Sequence, residues 1–223
     1  EARFVADVLN EWMNGGGAYQ ETAVLYRSNA QSRAIEEALL RVSIPYRIYG
    51  GLRFYERLEI KNAIAYLRVI FNNNDNPSFE RSISNPTRGV GEKTLAKIRY
   101  TAKQYNISYI KASAKLIDEG SISGRGGAGL RDYLEFIAGC KSFIEENLLS
   151  ELMELIIKES GLYAYHAKEP GEKGKTRTEN LEELITATKN FEQSIKEDKT
   201  NFEIAENYLD IISLDSGDRQ ASE

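Results

Sequence analysis

The hydrophobic pattern of the chain changes at residues 54–56, and this change limits the folds that the sequence can adopt. Before it, short apolar runs without helical spacing alternate with helical segments, whereas after it apolar residues recur only at three- and four-residue spacings. The latter period is typical of amphipathic helices. The sequence therefore predicts a mainly α protein, in which a small α/β segment is followed by an all-α region.

The α/β prediction rests on two apolar runs and the helical segment between them. TAVLYR (22–27) and IPYRIYGG (44–51) have the composition of short buried strands, and residues 28–43 have a helical pattern with Ser28 or Asn29 as its cap. About 16 residues between two strands is the length of a βαβ crossover, whose strands pair in parallel. We therefore expect a parallel βαβ unit over residues 22–51.

Helical patterns account for most of the remaining sequence. Residues 1–13 predict an amphipathic helix, and from Arg57 onward the pattern predicts about eight more helices and no strand. Residues 55–218 are therefore interpreted as one all-α domain, and residues 219–223 as a polar tail.

Composition excludes several classes of protein. The chain has 223 residues, a net charge of −5 and no apolar run near the roughly 18 residues that span a bilayer. The single cysteine, Cys140, excludes an internal disulfide and indicates a reducing compartment, which we take to be the cytoplasm. Cys140 lies in a helical apolar pattern that favours core packing. One cysteine and one histidine, His166, do not make an ordinary zinc site, and no metal site is predicted.

Two glycine-rich segments look like phosphate-binding loops but lack the required context. GRGGAG (124–129) follows polar residues rather than a strand, and GEKGKT (171–176) has Glu169 where a P-loop needs its first glycine. We interpret the first as a linker and the second as an exposed basic loop. The paired acids elsewhere lie on predicted helix faces, so no catalytic residue is assigned.

A third glycine segment, TRGVGEKTLAKI (87–98), has a more specific pattern. Residues 84–103 hold five basic residues and one acid, a local charge of +4 in an acidic chain. Two glycines precede a predicted helix start near residues 92–94, where free N–H groups and a lysine favour an anion such as a nucleic-acid phosphate. A glycine turn that only lets two helices pack explains the spacing equally well.

Four blocks of the sequence resemble those of one family. The pattern G-V-G-x-x-T-L-x-K-I is similar to the helix-hairpin-helix turn of DNA-binding proteins. AVLYRSNAQSRAIEEALL, IPYRIYGGLRFYERLEIKNAIAYLRVI, NPTRGVGEKTL and GEKGKTRTENLEEL resemble, in order and spacing, UvrD/PcrA/Rep-type superfamily 1 DNA helicases. The resemblance covers nearly the whole chain and is weakest over residues 104–160 and 195–223. Together with the absence of an initiator Met, it leads us to expect a piece of a longer protein.

The resemblance implies a domain for each part of the chain. Residues 1–54 would be the first part of the second RecA-like motor domain (2A), and residues 55–218 the inserted all-α 2B domain. The family contacts single-stranded DNA through residues that match Arg27, Asn29 and Arg53 here. Arginine and asparagine side chains are common donors to phosphate, which agrees with that assignment.

The resemblance also implies a role for the basic turn at residues 87–98. In the family the corresponding element grips the duplex ahead of the fork, which implies duplex-backbone contacts for Arg88, Gly89, Gly91, Lys93 and Thr94. The family match favours this assignment over a packing turn.

The implied function is that of a fragment of a 3′-to-5′ ATP-dependent DNA helicase, active in DNA unwinding and repair. The implied partners are single-stranded and duplex DNA, and ATP and Mg²⁺ are the cofactors of the whole protein. The chain itself contains no Walker A sequence, so we expect it to be inactive alone and to have no cofactor of its own.

Two alternatives are kept. The acidic, tyrosine-rich helices over residues 133–168 favour a protein-interaction or autoinhibitory module, with protein partners bound through the helical domain. A stand-alone helix-hairpin-helix DNA-binding protein is the other alternative. No membrane partner is expected.

Overall fold

The computed structural model describes residues 1–27, 29–48, 52–195 and 199–217, with the side chains of Asn29 and of residues 214–217 left out. Over these residues the protein is mainly helical, as the sequence predicts. It divides into two compact units, Glu1–Arg57 and the residues from Leu58 onward. The polar tail predicted at residues 219–223 lies outside the described residues.

The helices follow the chain in a simple order. Short 3₁₀ turns at Tyr19–Glu21, Asn29–Gln31 and Phe54–Glu56 occur between the α-helices of the first unit and before the second. The α-helices are α1 (Ala2–Asn14), α2 (Ser32–Arg41), α3 (Leu58–Phe71), α4 (Asn76–Ser84), α5 (Glu92–Tyr105), α6 (Tyr109–Asp118), α7 (Gly124–Glu146), α8 (Leu149–Glu159), α9 (Leu162–Ala167), α10 (Glu172–Ser194) and α11 (Asn201–Gly217).

The first unit has a small core between its two α-helices. α1 packs against α2, and Ala6, Leu39 and Ile44 are the buried apolar residues of this contact. The helix predicted at residues 1–13 is confirmed, and the helix predicted at residues 28–43 begins only at Ser32, after a 3₁₀ turn.

The two strands predicted in this unit do not form over the described residues. Residues 22–26 and 44–48 are assigned no strand, and Leu25, expected to be buried, is 94% exposed. Parallel strands are stable when both faces are covered, and the described part of this unit leaves the first segment uncovered. The prediction of strands at residues 22–27 and 44–51 is therefore wrong for residues 22–27 and 44–48, while residues 49–51 lie outside the described residues.

The second unit is built around α3. This helix packs against α4, α7, α8, α10 and α11, and ten of its fourteen residues are buried. A helix that is covered on most sides must be apolar nearly all round, which explains the dense run of apolar residues in NAIAYLRVI. Cys140 lies in this core at 1% exposure, and burial raises the pKa of its thiol to about 12, so the prediction of core packing is confirmed.

Both segments interpreted as glycine loops are helical. GRGGAG forms the first turns of α7, and GEKGKT lies at the start of α10. Gly174 is buried where a Cβ would come within 2.3 Å of the carbonyl oxygen of Glu169. Gly126, Gly127, Gly129 and Gly174 therefore serve close packing.

A buried polar network joins α10 to α3. Asn180 Nδ2 donates to Glu59 Oε1 at 2.6 Å, and Arg177 Nε lies 3.6 Å from Glu59 Oε2. Arg177 also pairs with Glu169, whose pKa is lowered first by its hydrogen bond with His166 and then by Arg177. The block TRTENLEEL thus supplies partners for a buried carboxylate, since an unpaired one is costly in a core.

In the described part of the chain, no helix combines the length and the apolar character that crossing a membrane requires.

Candidate nucleic-acid interface

The turn between α4 and α5 brings the predicted duplex residues into one place. Gly91 is the N-cap of α5 and offers no side chain to its free N–H groups. Its carbonyl oxygen accepts from the N–H groups of Thr94 and Leu95, at 2.9 and 3.1 Å. The N–H groups of Glu92 and Lys93 have no acceptor among the described residues. Two unsatisfied donors at a positive helix end are suited to an anion.

The inner side of this turn is held by Arg88. Its guanidinium donates to the carbonyl oxygens of Pro86 and Ser82, at 2.9 and 3.2 Å, and to that of Ser160, at the end of α8, at 2.7 Å. The guanidinium carbon also lies 5.5 and 5.6 Å from the ring centroids of Tyr66 and Tyr133. The Arg88 side chain is therefore engaged with the protein itself, and it fixes the turn to the core.

The two tyrosines belong to the same network. The hydroxyl of Tyr66 donates to the carbonyl oxygens of Ser82 and Asn85, at 2.7 and 2.8 Å, and the hydroxyls of Tyr133 and Ser82 lie 2.6 Å apart. Burial raises the pKa of Tyr66 to about 12, against the opposing effect of the Arg88 charge. With a pKa of about 12, Tyr66 is a neutral donor at physiological pH, and the network holds the residues before the turn.

The start of α7 packs on the backbone of the turn. A Cβ at Gly129 would lie 2.0 Å from the carbonyl oxygen of Arg88, and one at Gly126 would lie 3.1 Å from that of Gly89. At position 129 only a residue without a Cβ permits this approach, and at position 126 a Cβ would be crowded. Gly89 itself has φ +75, a left-handed conformation that favours glycine.

The outer side of the turn is open. A Cβ at Gly91 would meet nothing within 4 Å, and Lys93 is exposed. Arg125, at the start of α7, is exposed too, and its side chain passes over Gly89, where a Cβ would lie 2.9 Å from Arg125 Cγ. Thr94 is half-buried, and its Oγ1 would lie 3.6 Å from a Cβ placed at Gly126.

The local charge of +4 is not all available at this surface. Arg99 forms a two-pronged ion pair with Glu80, at 2.6 and 2.7 Å, and a second ion pair with Glu92, at 2.5 Å. These hydrogen bonds, first that from Glu80, raise the pKa of the Arg99 guanidinium. Arg88 faces inward, as described. The open charge of the turn therefore comes from Lys93 and from Arg125, which is far away in sequence.

The residues predicted to contact single-stranded DNA lie in the first unit. Arg27 is exposed, directly after residues 22–26, and its backbone N–H donates to Gln31 Oε1 at 3.0 Å. Arg53 is half-buried, directly before the Phe54–Glu56 turn, with its guanidinium carbon 5.3 Å from the Tyr46 ring centroid. The side chain of Asn29 lies outside the described residues.

Sequence reasoning missed Arg125, because GRGGAG was interpreted as a linker. One signal was present: Gly126 and Gly129 are three residues apart, so in a helix they lie on one face and allow another backbone to approach. If that segment is interpreted as a helix, Arg125 lies at its N-terminal end, beside the backbone that packs against the two glycines.

Comparisons with known proteins agree on one family. The UvrD-like helicase C-terminal domain family matches residues 1–123. The chain is 44% identical over 221 residues to DNA helicase II of Escherichia coli strain K12, which covers 99% of this chain and 30% of that protein. It is 46% identical over 224 residues to DNA helicase II of Haemophilus influenzae, covering 100% and 30%. It is 36% identical over 198 residues to the ATP-dependent DNA helicase PcrA of Leuconostoc citreum, covering 88% and 26%.

The family match extends over more than half of the chain, and it includes residues 22–27 and 44–48 of the first unit and the α4–α5 turn. The chain belongs to the UvrD-like helicase C-terminal domain family. It spans about 30% of the length of the DNA helicase II relatives that it matches.

Proposed function

We propose that this chain is the DNA-contacting segment of a 3′-to-5′ ATP-dependent DNA helicase that unwinds DNA, including during repair. Residues 1–54 are the first part of the RecA-like motor domain 2A, and residues 55–218 are the 2B domain. The family membership and the helicase relatives support this assignment. We place the protein in the cytoplasm, with ATP and Mg²⁺ as cofactors of the whole helicase.

The observation that carries the duplex contact is the two-sided turn between α4 and α5. Its inner side is fixed by Arg88, and its outer side presents free N–H groups, Lys93 and a glycine with open space around it. In the proposal this is a helix-hairpin-helix-like element: Gly89 and Gly91 let a phosphate approach the backbone, and Lys93 pairs with that phosphate. Thr94 lines the same surface. Such contacts position a duplex without reading its sequence.

The duplex assignment is tested with Lys93→Glu in this chain, using a hairpin with a single-stranded tail. Because one phosphate contact is lost and a repulsion is added, affinity at low salt should fall about tenfold, and the free energy of unfolding should change by less than about 0.5 kcal/mol. Lys141→Glu, on the exposed face of α7, has the same charge change and should bind like wild type. Equal affinity of Lys93→Glu and wild type at low salt would refute the assignment.

The single-strand assignment concerns Arg27, Asn29 and Arg53, and we propose that these three residues contact the tracked strand. Arg27 is exposed and its backbone is held by Gln31, so its side chain is free to reach a phosphate from a fixed position. Arg27→Ala in the full-length helicase should lower single-strand affinity and thereby DNA-stimulated ATPase. If single-strand affinity is unchanged while ATPase falls at saturating DNA, Arg27 serves the nucleotide and not the strand.

The 223 residues contain no Walker A sequence, and we propose that the chain alone does not hydrolyse ATP. Measurable ATPase activity of the isolated chain would contradict this. The competing proposal, a protein-interaction module in residues 133–168, gains support only if the chain fails to bind the tailed hairpin at low salt.

A further inference from the structure

The outward face of α5 has an unusual composition for an acidic chain. Lys93, Lys97, Tyr100 and Lys103 recur at three- and four-residue spacings, so they lie along one face of the helix. All four are exposed, and Tyr100 is 70% exposed. The opposite face is the buried one, formed by Leu95, Ile98, Thr101 and Ala102.

Acids close to α5 are held in ion pairs, among them Glu119, which pairs with Lys115 of α6. Glu92 is the only acid in the helix, and it pairs with Arg99, which also binds Glu80 of α4. The single charge of Arg99 therefore offsets one of these two acids, and the outward lysines form no ion pair with another described residue. Lys97 Nζ donates to the carbonyl oxygen of Ser121 at 3.1 Å, a neutral acceptor that leaves its charge in place.

We propose that the outward face of α5 is a second contact with the phosphate backbone of duplex DNA, continuous with the α4–α5 turn. The proposal rests on the proposed function, since the turn sets where the duplex lies. Lys93 and Lys103 are separated by about 15 Å along the helix axis at 1.5 Å per residue. A duplex carries one negative charge per about 1.7 Å of its own axis, so several phosphates fall within reach of this length.

Each residue of the face has a defined part. The ammonium groups of Lys97 and Lys103 pair with phosphate oxygens beyond the one at the turn, and the Tyr100 hydroxyl donates to a phosphate oxygen between them. Charge complementarity selects this occupant: the face is wholly basic in a chain of net charge −5. A single strand stacked on Tyr100 is the alternative occupant that the test distinguishes.

The test measures the salt dependence of binding between the 223-residue chain and a blunt hairpin duplex. Each phosphate contact contributes about 0.9 to the slope of log K against log salt concentration. The double variant Lys97→Gln/Lys103→Gln should therefore lower the slope by about 1.8. Lys141→Gln/Lys189→Gln removes two exposed lysines from α7 and α10 and should leave it unchanged. A wild-type slope for Lys97→Gln/Lys103→Gln overturns the proposal.

The comparison with the turn separates this proposal from the proposed function. If Lys93→Glu loses affinity while Lys97→Gln/Lys103→Gln keeps the wild-type slope, the turn contact stands and the α5 contact is refuted. If the double variant loses slope while Lys93→Glu binds like wild type, the α5 contact stands and the turn assignment fails. A larger loss on single-stranded DNA than on duplex for Tyr100→Ala overturns the duplex assignment in favour of base stacking.

Discussion

Two glycine-bearing segments of the second unit meet each other and use their glycines differently. At Gly126 and Gly129 in α7, a Cβ would come within 3.1 and 2.0 Å of the carbonyl oxygens of the turn. At Gly91, on the other side of that turn, a Cβ would meet nothing within 4 Å, and φ is −97, which any residue adopts. The packing therefore requires glycine at position 129, crowds any larger residue at position 126, and sets no such demand at Gly91. A ligand that approaches the backbone gives a reason for glycine at position 91.

The largest change in the free energy of unfolding is expected at Gly129, where α7 packs against the turn. Gly129→Ala places a methyl group against the carbonyl of Arg88, so α7 and the turn must separate, at a cost of about 3 kcal/mol in the free energy of unfolding. Urea denaturation followed by circular dichroism measures this. The matched control is Gly139→Ala, at an exposed position of the same helix with open space, which should stabilise the protein by up to about 1 kcal/mol. Equal stability of the two variants would show that the close approach is absent.

A smaller loss of stability is expected from Arg88→Ala. The substitution leaves three carbonyl acceptors without their charged donor and opens space between Tyr66 and Tyr133, which should cost about 2 kcal/mol. Arg131→Ala, at an exposed position of α7, should leave the denaturation midpoint unchanged. Duplex affinity of the folded Arg88→Ala protein should also fall, because the turn is no longer fixed. A variant that is as stable as wild type yet binds duplex weakly would assign the Arg88 side chain to DNA instead.

The smallest change in the free energy of unfolding is expected at Gly91, on the open outer side of the turn. Gly91→Ala should leave the free energy of unfolding within about 0.5 kcal/mol, since the small loss at an N-cap is offset by lower entropy of the unfolded chain. Duplex affinity should nevertheless fall several-fold, because the methyl group occupies the path of the phosphate. Fluorescence anisotropy with a labelled hairpin, alongside a denaturation curve, measures both. Unchanged affinity would mean that no phosphate contacts the backbone at Gly91.

Helical periodicity was sufficient for most of the second unit and insufficient for its glycine segments. The helical patterns of α3 and α5 follow from apolar spacing. The start of α7 does not, because each glycine disfavours a helix by about 1 kcal/mol, and only the contact with the turn compensates. That contact joins residues about 40 positions apart, and no local pattern reports it.

The sequence also did not predict the direction in which the charged side chains point. Counting charges predicted the positive charge of the turn. It did not predict that Arg88 points inward or that Arg99 forms ion pairs with Glu80 and Glu92. The strands failed for a related reason, since a parallel strand depends on partners and covering layers that its own residues do not specify. Family blocks located the candidate surface, and the structure divided it into an inner and an outer side.

The most direct test of the two-sided turn is an amide NMR titration of the ¹⁵N-labelled chain with the tailed hairpin. The N–H groups of Glu92 and Lys93 have no acceptor among the described residues, so their resonances should shift downfield first and furthest as phosphate binds. Those of Gly126 and Gly129, packed against the turn, should shift little. Saturable DNA binding that leaves the Glu92 and Lys93 amides unmoved would contradict a duplex contact at this turn.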